Sequence, residues 1–119
     1  MQSVVRVLGA LCLLIIGGCA SIQPQLSGLV GGSGSDAPWP VVATADGGFV
    51  VAGFTGSDDG DFRGMQRGKG DIFIIKVDSN NTLEWIKTYG MAGVDGCRSI
   101  DVVPSGGYTL AGYAMSPSE

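Results

Sequence analysis

From residue 41 onward the apolar residues fall in short stretches that alternate with polar ones or run unbroken, bounded by Gly, Asn, Asp or Pro. This is the pattern of strands. Val41–Thr44 is the weakest of them, because Pro38 and Pro40 before it cannot donate ladder hydrogen bonds. Phe49–Thr55 follows an Asp46-Gly47-Gly48 turn, whose glycines admit the positive φ of a tight hairpin. In Asp71–Asp78, Ile72, Ile74 and Lys76 alternate with Phe73, Ile75 and Val77, so one face is apolar throughout and the other nearly so. Asp78-Ser79-Asn80-Asn81 then predicts a turn, since Asn tolerates left-handed backbone. Leu83–Tyr89 is the fourth strand. Arg98–Val103, with Ile100 and Val102 expected inward, and Tyr108–Ala114 continue the series.

Two of these strands are copies of each other. Asp46-Gly47-Gly48-Phe49-Val50-Val51-Ala52-Gly53-Phe54 returns as Ser105-Gly106-Gly107-Tyr108-Thr109-Leu110-Ala111-Gly112-Tyr113, 59 residues later. Residues 31–57 align without a gap onto 90–116, with identity at eight positions: Gly31, Gly34, Asp36, Gly47, Gly48, Ala52, Gly53 and Ser57. Phe49/Tyr108, Val51/Leu110 and Phe54/Tyr113 are conservative matches, and each set of three is expected to share one strand face. Identities concentrated at turn glycines in one register mark a true repeat.

Four short antiparallel strands per period match the arithmetic of a β-propeller blade. The series GGSGSD, DGGFVVAGFT and GDIFIIKVDSNNTLEWIKTYG resembles the propeller-type repeats of bacterial secreted and surface proteins. Asp71, Phe73, Lys76, Asp78 and Trp85 fall at the motif positions of that family, whereas Asn81 replaces its usual turn Gly and Met91 departs from its usual start. The resemblance spans residues 30–116 and implies an all-β, antiparallel propeller-like fold of about one and a half four-stranded blades. It implies a first repeat over 31–89, a partial second over 90–119, and a Trp85 packed between blades. On activity the family is silent.

The N-terminus carries a different signal. Arg6 precedes an apolar run, Val7–Ile16, too short to span a bilayer comfortably. Ile16-Gly17-Gly18-Cys19 follows and resembles the lipobox of bacterial lipoproteins, with Ile where Leu is commoner. That resemblance implies a helical signal segment over 1–18, acylation of Cys19 (palmitate or a similar chain) and a Ser/Gly/Gln-rich tether over 19–30. Each buried CH₂ of an acyl chain adds about 0.8 kcal/mol of membrane affinity. Two other readings stay open: ordinary signal-peptide cleavage beside Cys19, giving a secreted protein, and an uncleaved anchor.

Composition narrows the function. A chain of 119 residues, less its leader, holds one small domain. The 21 glycines and a charged fraction of 15% suit many short strands and turns. The net charge of −4, with seven unclustered Lys and Arg, lacks the basic footprint of a nucleic-acid binder. There is no His, so Ser-His-Asp, Cys-His and His-zinc sites are excluded within this chain. The three Cys do not form a disulfide framework, and Cys97 reads as a small hydrophobe at a strand start.

The best chemical candidate is the loop 57–64. Asp58, Asp59 and Asp61 around Gly60, with Asp71 closing the set, offer the hard oxygen donors that Ca²⁺ prefers. The EF-hand spacing fails, and a solvated acidic turn is the competing reading. The run Gly64–Gly70 contains Gly-Lys but precedes a strand, unlike a phosphate loop. Glu84 beside Trp85 invites comparison with a sugar platform, though Glu84 is expected to face solvent. Trp39, between two prolines, reads as an edge residue under a loop or as an exposed contact.

The expectation is therefore a non-catalytic cell-envelope lipoprotein of the outer membrane or cell surface, a scaffold or recognition module for a protein or carbohydrate ligand. The alternative is the N-terminal part of a carbohydrate-active or other enzyme whose site lies outside this chain. Further blades or copies are expected to close the fold.

Overall fold

The structure is a computed structural model that describes residues 30–116 and the backbone of residues 4–5. The expected lipidation site Cys19, and nearly all of the expected signal segment and tether, lie outside the described residues. Three residues of those segments are described, all of them in strands. Val4–Val5 (β1) is extended, not helical, and pairs antiparallel with Val30–Gly31 (β2). Val30, placed in the tether, is a buried strand residue that joins a hydrophobic cluster with Phe62 and Phe73.

The fold is all-β with antiparallel sheets. Asp36–Ala43 (β3), Phe49–Thr55 (β4), Asp71–Val77 (β5) and Leu83–Tyr89 (β6) form a four-stranded meander in chain order. Val94–Val102 (β7) and Tyr108–Met115 (β8) form a separate hairpin. A parallel bridge, Gly70 to Val94, links the two.

β4 and β6 have the expected bounds, whereas β3 and β7 start several residues earlier than predicted. Pro38 and Pro40 are accommodated because β3 is an edge strand, where a missing N–H leaves no ladder bond unmade. Each of these strands also contains a β-bulge, between Pro38 and Val41 in β3 and between Cys97 and Ser99 in β7.

The sheet buries both faces. Strict alternation along β4 puts Phe49 and Val51 opposite Val77 and Ile75 on one face, and Phe54 opposite Ile72 on the other. This corrects the expectation that the three share a face: an interval of five residues cannot return a strand to the same side. The first face packs Val51, Phe73, Ile75 and Val77 against Val30 and Phe62. Phe62 comes from the 3₁₀ turn Gly60–Phe62, and its ring centroid lies 5.5 Å from that of Phe73. The second face packs Val50, Ala52 and Ile74 against Cys97 and Ile100 of β7.

The repeat is visible in the backbone. Thr44 N–H donates to Gly48 O and Gly47 N–H to Thr44 O in the first turn; Val103 to Gly107 and Gly106 to Val103 repeat both bonds 59 residues on. Gly47 and Gly106 both have positive φ, 84° and 103°, which an L side chain resists. Asp36 pairs across the ladder with Thr55, and Asp95 in the same way with Ala114.

Candidate contact surface

The two bulges place an extra residue at the same point of each unit. Trp39 lies in the first and Arg98 in the second, at equivalent positions of the repeat. A bulge re-aims a side chain off the pleat, and here both side chains are turned to the surface. The Arg98 guanidinium stands 4.8 Å from the Trp39 ring centroid and 5.4 Å from that of Tyr113. Tyr113 in turn lies across Gly96, its cross-strand partner, where any side chain would collide with the ring. Trp39 remains 63% exposed although the cation covers part of it. Tyr113 and Met115, two residues apart on β8, extend the exposed apolar surface. Trp39 is an edge-strand residue, as expected, and its side chain is exposed instead of lying under a loop.

Such an arrangement offers flat aromatic faces and a fixed cation, with no nucleophile or general base between them. Its chemistry is stacking and cation–π attraction, about 0.5–1 kcal/mol per exposed pair. Sequence reasoning missed Arg98 here, because the bulge that exposes it leaves no mark in the alternation.

The other candidate residues do structural work. Lys76 is buried on the second sheet face, yet all three of its donors are placed. It lies 2.8 Å from Asp46 Oδ2, 2.9 Å from Glu84 Oε2 and 3.0 Å from Val77 O. Burial pulls the lysine pKa down, but the hydrogen bonds it donates to Asp46 and Glu84 outweigh it and hold the pKa above its ordinary value. Glu84 is thus engaged in an ion pair and does not simply face solvent. Asp46 is held well below the usual carboxylate range by the Lys76 ammonium first, then by Thr44 Oγ1 and Gly48 N–H. Trp85 is half-buried against the inter-sheet cluster, its centroid 6.1 Å from that of Tyr108, and Lys87 lies over its ring at 5.0 Å.

The expected calcium set does not converge. Asp59 Oδ1 accepts Ser33 N–H at 2.7 Å, which lowers its pKa, and Asp61 Oδ2 accepts Gly31 N–H at 2.9 Å. The two carboxylates clamp the acidic loop to β2 and the residues after it. Asp58 is exposed, and Asp71 is buried at the start of β5, where Oδ2 accepts Arg67 N–H at 2.7 Å. Among the described residues no three His, Cys, Asp or Glu side chains gather as a metal-binding group.

The Gly64–Gly70 run spends main-chain groups on the hairpin: Lys69 N–H donates to Gly93 O, and Gly70 O accepts from Asp95 N–H. Its first residues and Ile86–Tyr89 line a cleft of about 430 Å³. Cys97 is fully buried within β7 instead of at its start, and burial pushes its thiol pKa up, so it is not a poised nucleophile. Among the described residues no helix is long and apolar enough to cross a membrane.

The chain matches no family model, no curated protein and no solved structure.

Proposed function

We propose that this chain is a non-catalytic lipoprotein of the bacterial cell envelope, in which the sheet and the hairpin are successive blades of a β-propeller-type repeat. It serves as a scaffold and recognition module held to the outer membrane or cell surface by acylated Cys19. The observation that carries this reading is the recurrence, 59 residues on, of the same turn bonds, ladder register and bulge, with the two units packed face to face. The lipobox-like Ile16-Gly17-Gly18-Cys19 supports the anchor. The ligand meets the Trp39–Arg98–Tyr113 stack with a flat apolar face, either a sugar ring or a protein side chain.

Two measurements test the two halves of the proposal. In detergent phase separation of expressing cells, the wild type enters the detergent phase and Cys19→Ser does not; a wild type left in the aqueous phase removes the anchor. In affinity electrophoresis through envelope polysaccharides and in pull-down from envelope proteins, Trp39→Ala loses whatever retention the wild type shows. Retention unchanged by Trp39→Ala removes the contact surface.

A further inference from the structure

The junction between the sheet and the hairpin holds two buried carboxylates that the fold leaves partly unanswered. Asp71 opens β5 and Asp95 is the second residue of β7; both are almost wholly buried. They are brought together where residues 69–70 run beside residues 93–95 through main-chain bonds. Both converge on Gly90, which has no side chain. A Cβ there would run into Oδ1 and Cγ of Asp71 and lie 3.0 Å from Oδ2 of Asp95.

Among the described residues, each carboxylate has one oxygen satisfied and one without a partner. Asp71 Oδ2 accepts Arg67 N–H at 2.7 Å, and Asp95 Oδ2 accepts Met91 N–H at 2.7 Å. Oδ1 of each is buried and, among the described residues, has no hydrogen-bond donor. Among the described residues neither carboxylate forms an ion pair, since both salt bridges belong to Lys76. The Arg67 guanidinium is directed instead to Thr88 O, at 2.7 Å.

The repeat shows what is missing. Asp36, the counterpart of Asp95, accepts Gly32 N–H at 3.0 Å, as Asp95 accepts Met91 N–H, but it also takes Thr55 Oγ1 at 2.6 Å and Ser57 Oγ at 2.8 Å. In the second unit the Thr55 position is Ala114, and Ser116 is exposed and makes no such bond. Thr55 cannot serve Asp71, its own cross-strand neighbour, because its single hydroxyl proton goes to Asp36. Buried carboxylate oxygens without donors are strongly unfavourable unless a positive charge answers them.

We propose that Asp71 and Asp95 bind one calcium ion at this junction, tying the sheet to the hairpin. The donors are hard oxygens only, with no imidazole in the chain. Two carboxylates completed by main-chain oxygen and water suit Ca²⁺, whose coordination is irregular and flexible, better than Mg²⁺. This site shares Asp71 with the acidic-loop set and none of its other members.

The test uses the full chain freed of metal with chelator, then titrated with CaCl₂ against a KCl control of equal ionic strength. Equilibrium dialysis is expected to find one Ca²⁺ per chain, and saturation to raise Tm by about 5–10 °C. Asp95→Asn abolishes both effects, while Asp58→Asn/Asp61→Asn keeps them. Because Asp95→Asn can fail to fold, Ala114→Thr provides the second arm. It supplies the hydroxyl present in the first unit, raises Tm without metal and weakens calcium binding by about tenfold or more. No bound calcium in the wild type, or calcium binding indifferent to Ala114→Thr, overturns the proposal. So does binding lost with the acidic-loop variant and kept by Asp95→Asn.

Discussion

If the hairpin packs on the sheet as a second unit, Ile74 of β5 and Ile100 of β7 must be energetically coupled, whereas Phe73 and Ile100 must not. Ile74 and Ile100 are 3% and 9% exposed and belong to one cluster with Val50, Ala52 and Cys97. Phe73 is fully buried in the other cluster, on the opposite face of the sheet. Truncating a buried Ile to Ala costs about 2–5 kcal/mol, including the cavity left behind. We expect about 3 kcal/mol for Ile74→Ala and about 2 kcal/mol for the more peripheral Ile100→Ala. Their double mutant opens one shared cavity, so its cost should fall short of the sum by about 1 kcal/mol. Phe73→Ala should cost about 3–5 kcal/mol and add to Ile100→Ala within about 0.5 kcal/mol. A domain this size has about 4–13 kcal/mol in total, and with a wild type above about 8 kcal/mol every single and double variant is measurable by urea unfolding, read as a shift in midpoint at constant slope. Strict additivity of Ile74→Ala with Ile100→Ala, or coupling of Phe73→Ala to Ile100→Ala of equal size, would refute the face-to-face packing.

Two further outcomes follow from the polar groups. Asp46 and Asp59 both have folded pKa values below their ordinary 3.8, so the stability they contribute is complete above about pH 4 and is lost as the pH falls below it. Asp46→Asn should therefore flatten the fall of Tm between about pH 4 and pH 2, and an unchanged slope there would sink the assignment. The buried Cys97 thiol, its pKa raised, should react with a disulfide reagent at pH 8 only in proportion to the unfolded fraction across a urea series, with Cys12 and Cys19 replaced by Ser so that Cys97 alone is read; rapid labelling without urea would show that β7 is not packed as described.

The strands that were legible from the sequence are those whose ends are marked by turn chemistry. Gly47, at φ 84°, and Asn81, at φ 61°, fix the bounds of β4 and β6 because few other residues take those angles without strain. β3 and β7 were harder to read, since a bulge breaks the two-residue period and an edge strand tolerates the prolines that argue against a strand elsewhere. Lys76 shared a face with Ile72 and Ile74 in the sequence, but its burial became interpretable only once Asp46 arrived from the β3–β4 turn and Glu84 from β6. The acidic loop looked like a cation site because its carboxylates are close in sequence, yet Asp59 and Asp61 are consumed by main-chain N–H groups of residues 31–33. The Asp71–Asp95 pair is made by the junction of two units, 24 residues apart in sequence, and nothing in the strand pattern marked it.

The matched bulges also bear on how the proposed recognition could change over time. The protruding position tolerates indole in one unit and guanidinium in the other, and neither group enters a hydrophobic cluster. Its identity is thus uncoupled from folding, so new preferences could be written one codon per unit while the framework beneath stays as it is.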